Sequence, residues 1–217
     1  MSLYYQDELV TLYHGDCREV VARVAAKPDM LLADPPYGLN HSGSYESRFG
    51  RGKRKTYGPV IGDDQPFDPA AWLGYPKVVL WGANRYADRL PPSPGWLIWD
   101  KREHTPANDF ADAELAWCSF PTPARIFRHY WNGPVRASER GVHLHPTQKP
   151  VALMSWIIDR WTKHGNLILD PFSGSGPVLL AAKNLGRRAI GVEIEERYCE
   201  IAAKRLDQGV LDFGESA

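Results

Sequence analysis

The chain has little cysteine, no surplus of charge and no long apolar run, and each lack removes a class of protein. Three widely spaced cysteines in 217 residues, Cys17, Cys118 and Cys199, cannot build a disulfide framework, and without a C-x-x-C pair they do not offer zinc-ligand spacing. They read as buried thiols of a protein kept in a reducing, cytoplasmic setting. Lysine plus arginine (26) equals aspartate plus glutamate (26), so the whole molecule exerts no net pull on a polyanion. Contact with nucleic acid must then come from a local patch. No stretch approaches the about 18 consecutive apolar residues of a membrane helix, and the opening MSLYYQDELV lacks the basic start and apolar run of a signal peptide. No membrane partner is expected.

What is present is an alternation of short β-rich runs with helical patterns, the mark of an α/β sheet covered on both faces. Leu9 to His14 (LVTLYH) and Asp29 to Ala33 (DMLLA) read as strands with a helix over Cys17 to Ala26 between them. Further strands are expected at Lys77 to Gly82, Gly95 to Trp99, Ala113 to Phe120 and Ala124 to Trp131, the last two as an antiparallel edge. Pro150 introduces a helix over Val151 to Lys163, after which come strand NLILD, a glycine turn, helix Pro177 to Leu185, strand AIGVE and helix Glu195 to Leu206. The whole of 1–217 reads as one domain. Residues 39–68 are rich in Gly, Ser and charge without a period, and are expected to be a mobile loop facing the substrate.

Two segments carry chemistry. In the first, Asp170-Pro171-Phe172-Ser173-Gly174-Ser175-Gly176 lies between a strand and a helix, where a doubly wound sheet holds a nucleotide. Gly174 and Gly176 let the backbone turn close to a ligand, and Glu193 ends the next strand, where a carboxylate can accept from ribose hydroxyls. The Gly-Lys-Ser/Thr of a phosphate loop is missing, and the third glycine of the dinucleotide fingerprint is replaced by Leu179. A ribose-bearing cofactor without a pyrophosphate fits these letters.

The second segment, Asp34-Pro35-Pro36-Tyr37, follows directly on DMLLA. Two prolines end the strand and leave carbonyls free as acceptors at its carboxyl end. The exocyclic amine of a nucleobase is a poor nucleophile because its lone pair is delocalised into the ring. Hydrogen bonds from that amine to Asp34 and to the Pro35 carbonyl would localise the lone pair, with Tyr37 stacked on the base. These bonds strengthen as charge grows on nitrogen and so act in the transition state. A cytosine-C5 reaction needs an attacking cysteine, and no Pro-Cys pair is present.

At this point the chain resembles the DNA amino-methyltransferases, which modify adenine N6 or cytosine N4. D-P-P-Y is similar to their catalytic motif, D-P-F-S-G-S-G to their cofactor loop, His145-Pro-Thr-Gln-Lys-Pro150 to the segment before that loop, and Tyr13-His-Gly-Asp-Cys17 to their acidic turn. The motif order matches the β-type circular permutation. The resemblance implies a Rossmann-like adenosylmethionine-methyltransferase sheet, mostly parallel and seven-stranded, in the order 3-2-1-4-5-7-6 and entered at its third strand. It implies S-adenosyl-L-methionine as cofactor, with Asp16 and Cys17 on its adenine and Glu193 on its ribose. Phe172 to Gly176 with Thr147 and Lys149 would take its amino-acid end, while Asp34, Asp170 and Ile194 complete the cofactor set. Catalysis would fall to Asp34, Pro35, Pro36 and Tyr37, and DNA would be the substrate, within a restriction-modification setting. Adenine N6 is the preferred acceptor and cytosine N4 the alternative. A nucleic-acid-binding module without catalysis, and an enzyme acting on RNA or a protein amide, are the readings of other classes. Only 132–144 is left for target recognition, where the family usually has a longer insert.

Arg48, Arg51, Lys53, Arg54 and Lys55 put five cations and no acid into eight positions, a patch expected to grip DNA phosphates beside a flipped base. His143 and His145 lack the further ligands of a metal site, and Asp63-Asp64 reads as a solvated loop or a helix N-terminus before Pro66, so no metal is expected. Trp81, Trp96, Trp99, Trp117 and Trp131 read as core. Oligomeric state is left open, a homodimer included.

Overall fold

The computed structural model describes residues 1–40, 58–103, 105, 111–132, 135–140 and 143–208. The strands are β1 (Ser2–Gln6), β2 (Val10–His14), β3 (Met30–Ala33), β4 (Val78–Trp81), β5 (Trp96–Asp100), β6 (Ala113–Cys118), β7 (Arg125–Arg128), β8 (Trp131–Asn132), β9 (Val135–Arg136), β10 (Leu167–Asp170) and β11 (Arg188–Glu193). The helices are α1 (Cys17–Arg23), α2 (Val151–Trp161), α3 (Pro177–Asn184) and α4 (Glu196–Asp207). Among the described residues no helix is long and apolar enough to cross a membrane.

One sheet carries nine strands in the order β1-β2-β11-β10-β3-β4-β6-β5-β7. Its inner seven, β2 to β5 in that list, realise the order implied by the resemblance, and a further strand lies at each edge. β1, for which the sequence held no expectation, forms an antiparallel hairpin with β2. At the other end the expected antiparallel pairing of 113–120 with 124–131 does not occur. Instead β6 runs antiparallel between β4 and β5, and β7 pairs parallel to β5. Propensity identified these strands, but the choice of partner rests on packing that alternation does not encode.

The central strands β3, β4 and β10 are buried at every position, as expected for strands covered on both faces. Successive side chains feed two cores. Met30, Leu32, Val79, Trp81 and Ile168 pack with residues of α2, α3 and α4, whereas Leu31, Ala33, Val78, Leu80 and Leu169 face Trp72, Tyr86 and the partly buried Val21 of α1. Trp81, Trp99, Trp117 and Trp131 are buried, as expected. β10 and β3 are parallel neighbours, yet their connections leave in opposite directions, toward β11 and toward β4. That reversal opens a crevice at their carboxyl ends, the place where ligands bind in open α/β sheets.

Candidate active site

The crevice is a cavity of about 380 Å³ that gathers Asp16, Cys17, Asp34 to Tyr37, Thr147, Lys149, Asp170, Phe172 to Ser175, Glu193 and Ile194 on its walls. Gly176 is the exception: it caps α3 at φ 78°, and a Cβ there would press on Ala202 at 3.0 Å. Of the loop 39–68, the part from Val60 to Asp68 supplies wall residues. Arg48, Arg51, Lys53, Arg54 and Lys55, expected to hold DNA, lie outside the described residues.

The glycine loop is held by its own chain. Ser173 Oγ donates to the Asp170 carbonyl at 3.1 Å, and the Ser175 carbonyl accepts from Arg205 at 2.8 Å, so both serine residues brace the loop. Glu193 does likewise: its two carboxylate oxygens accept from the backbone N–H of Gly174 (2.8 Å) and of Glu195 (2.7 Å). Each oxygen has a further lone pair, and Glu193 lines the cavity. Phe172 packs edge-on against Phe67 and Trp72, at ring separations of 5.8 and 5.4 Å. Asp16 caps α1 by accepting from Arg18 N–H at 2.7 Å. Cys17 is half-buried, not buried as expected, and burial, with Asp16 beside it, pushes its thiol up to about 11. A thiol held that high stays protonated at neutral pH and is no nucleophile.

Asp34 lies just beyond β3. One of its oxygens, Oδ2, accepts from Lys149 Nζ at 2.5 Å. The other, Oδ1, is buried and has no hydrogen-bond partner among the described residues. Lys149, expected at the amino-acid end of the cofactor, lines the cavity and directs its ammonium to Asp34 and to Glu114 Oε2, the latter at 3.1 Å. An ammonium with 4% of its side chain exposed needs carboxylate partners to remain ionised. Burial pushes the Asp34 carboxyl above the ordinary aspartate range, with the Lys149 ammonium opposing. Asp170 is also raised by burial, its partner being the Phe172 N–H at 3.1 Å.

The D-P-P-Y turn has an anchor that the sequence did not disclose. Asp63, read as a solvated loop residue, is 4% exposed. Its Oδ1 accepts from the backbone N–H groups of Tyr37 (3.2 Å), Gly38 (3.0 Å) and Leu39 (3.1 Å). The Tyr37 ring lies over Gly82, where a Cβ would collide with it. Replacing Asp63 with alanine should cost about 2–3 kcal/mol, the scale of hydrogen bonds to a charged acceptor. Replacing exposed Asp64 should stay within about 0.5 kcal/mol. Urea denaturation compares the two, and equal losses would show that Asp63 does not hold the turn.

His145 belongs to the same wall. Its Nδ1 lies 3.3 Å from the Thr147 N–H, and its ring sits 4.2 Å from that of Tyr198. Burial, with Lys149 and Arg197 nearby, lowers it to about 3, so the ring is neutral. His143 Nδ1 meets Arg136 at 2.8 Å, and among the described residues no cluster of three metal-binding side chains exists. The walls carry seven carboxylates, those of Asp16, Asp34, Asp63, Asp68, Asp170, Glu193 and Glu195, against the cations of Arg18 and Lys149. Such a lining repels a pyrophosphate and suits a ligand with ribose hydroxyls and positive charge, as S-adenosylmethionine has.

The family model described as DNA methylase, of the N6/N4 type, matches residues 95–204. The chain is 26% identical over 250 residues to the Type II methyltransferase M2.LlaDCHI of Lactococcus lactis subsp. cremoris, covering 95% of this chain and 92% of that protein. It is 27% identical over 257 residues to the Type II methyltransferase M2.DpnII of Streptococcus pneumoniae, covering 94% and 92%. Among solved structures, the complex of M1.HpyAVI with SAM superimposes with a TM-score of 0.61 at 24% identity, over 92% of this chain and 100% of that one. With the family model spanning half of its length, the chain belongs to the N6/N4 DNA methylases, S-adenosylmethionine-dependent enzymes that methylate an exocyclic amine of a DNA base.

Proposed function

We propose that this enzyme methylates adenine at N6, with Asp34 as the acceptor that activates the amine and the loop from Phe172 to Gly176, with Glu193, as the cofactor cradle. The observation that carries this reading is the buried, unpartnered Asp34 Oδ1 at the junction of β3 and β10, beside the glycine loop. A buried acceptor left open costs stability, and a donor N–H of the substrate removes that cost. S-adenosylmethionine, when bound, supplies a methyl group on a sulfonium. Asp34 Oδ1 accepts one amine N–H, the Pro35 carbonyl accepts the other, and the lone pair is directed into the cavity. Tyr37 offers its ring to the base, and the purine of adenine gives the larger face for it. After transfer the nitrogen is cationic and releases one proton, for which the Asp34 carboxylate is the nearest base. Val60 to Asp68 and 132–144 are the segments assigned to substrate contact.

Incubation of the enzyme with methyl-labelled cofactor and duplex DNA, followed by digestion to nucleosides, tests the reading. Label in N6-methyladenine is expected. Label in N4-methylcytosine would move the acceptor to cytosine, and unlabelled DNA would overturn the assignment. Glu193 adds a second test. Its carboxylate both orders the loop and faces the ribose site, so Glu193→Ala should weaken cofactor binding by at least about tenfold, the equivalent of one charge-assisted hydrogen bond. Unaltered affinity in calorimetry would remove Glu193 from the site.

A further inference from the structure

Glu114 lies at the start of β6, far in sequence from every motif above, and its carboxylate touches two ammonium groups. Lys101 Nζ approaches Oε1 at 2.8 Å and Lys149 Nζ approaches Oε2 at 3.1 Å. Lys149 is thus shared between Glu114 and Asp34. The topology makes this possible. β6 runs antiparallel to its neighbours, so its first residues lie at the edge where the parallel strands end. Glu114 pairs in register with Trp99 of β5.

We propose that Glu114 is a positioning residue for methyl transfer: by sharing the Lys149 ammonium with Asp34, it leaves the Asp34 carboxylate held by one oxygen only and makes the other oxygen the stronger acceptor. An ammonium paired with Asp34 alone would withdraw more charge from the carboxylate and weaken Oδ1 as an acceptor. Two carboxylates around one cation instead repel each other through it, and Lys101 offsets the surplus negative charge. The charge states agree with this sharing. Although burial raises it, Glu114 is held down to about 2 by Lys149 and Lys101, whereas Asp34 is raised. Lys149 itself is held in its protonated form by the two carboxylates against the effect of burial. The groups that face Asp34 are Lys149, Glu114, Lys101, Tyr37, Tyr86 and Asp170. Of these, Glu114 raises it and the two ammonium groups lower it.

The proposal rests on Asp34 being the amine acceptor, and it is tested with a readout that needs no turnover. Carbon-13 NMR of the carboxyl of Asp34 in the full chain, assigned with Asp34→Asn, gives its titration midpoint. Glu114→Gln removes a negative neighbour at constant shape, so the midpoint should move down. Lys101→Met, a partly exposed change that spares the core, should move it up. With DNA, Glu114→Gln should lower kcat by about 10- to 100-fold, the scale for groups that orient a ligand from behind, with the KM for cofactor unchanged. A midpoint that stays in place in both folded variants, or moves the other way, overturns the proposal. If the midpoints move as expected while the wild-type enzyme leaves DNA unlabelled, the charge sharing stands and the assignment of the reaction fails.

Discussion

Replacing Asp34 with alanine lowers methyl transfer to DNA by about 10²- to 10³-fold, the scale for loss of one group that acts in the transition state, while cofactor affinity stays near wild type. The separation is expected because, on the proposed reading, Asp34 offers its open oxygen to the base, whereas the glycine loop is braced by Asp170, Glu193 and Arg205. The fold survives because Lys149 keeps Glu114 as its counter-charge. Asp34→Asn should lose nearly as much, since an amide accepts more weakly than a carboxylate. The same residue sets an acid limit. Its carboxyl is raised above the ordinary aspartate value and only the ionised form accepts from the amine. Turnover is therefore full above the raised value and falls as pH drops through it. A pH profile of kcat/KM in wild type, beside single-turnover rates of both variants, checks these outcomes. A variant with near-wild-type turnover would show that D-P-P-Y is not the acceptor.

Replacing Arg205 with methionine destabilises the protein by about 3–5 kcal/mol, the usual cost of breaking a buried ion pair. For a chain of this size that corresponds to a fall in Tm of roughly 6–20 °C. Arg205 and Glu139 are 6% and 7% exposed and meet at 2.7 Å. The guanidinium also donates to the Ser175 carbonyl of the glycine loop. Glu139 in turn accepts from Gln148 Nε2 at 3.0 Å and from the Val151 N–H at 2.9 Å. One ion pair therefore ties α4, the glycine loop and the H-P-T-Q-K-P segment together. Breaking it should weaken cofactor binding along with stability. Adding Glu139→Gln to the Arg205 variant should recover part of the loss, because the stranded negative charge is then gone. Thermal denaturation with and without cofactor reads both effects. A single variant that melts with the wild type would show that the pair is not buried in solution.

Sequence by itself determined most of the elements, though not β1 or β9, and singled out the two motif segments. The glycine loop was legible because its conformation is local: Gly174 and Gly176 take φ of 49° and 78°, values an L side chain resists. D-P-P-Y was legible because consecutive prolines end a strand wherever they stand. Tertiary structure alone decided what holds these segments. Asp63, Glu114, Glu139 and Arg205 are ordinary charged residues in sequence, each in a stretch that reads as loop, edge strand or helix surface. They become part of the site because the sheet order brings β6 antiparallel beside β4 and because α4 packs beneath the glycine loop. Burial then obliges each charge to find a partner. Such pairing is a property of distance in space, and neither residue spacing nor hydrophobic period carries it. Lys149 shows the same division: its motif placed it at the cavity, and the sheet order decided which two carboxylates pair with its ammonium.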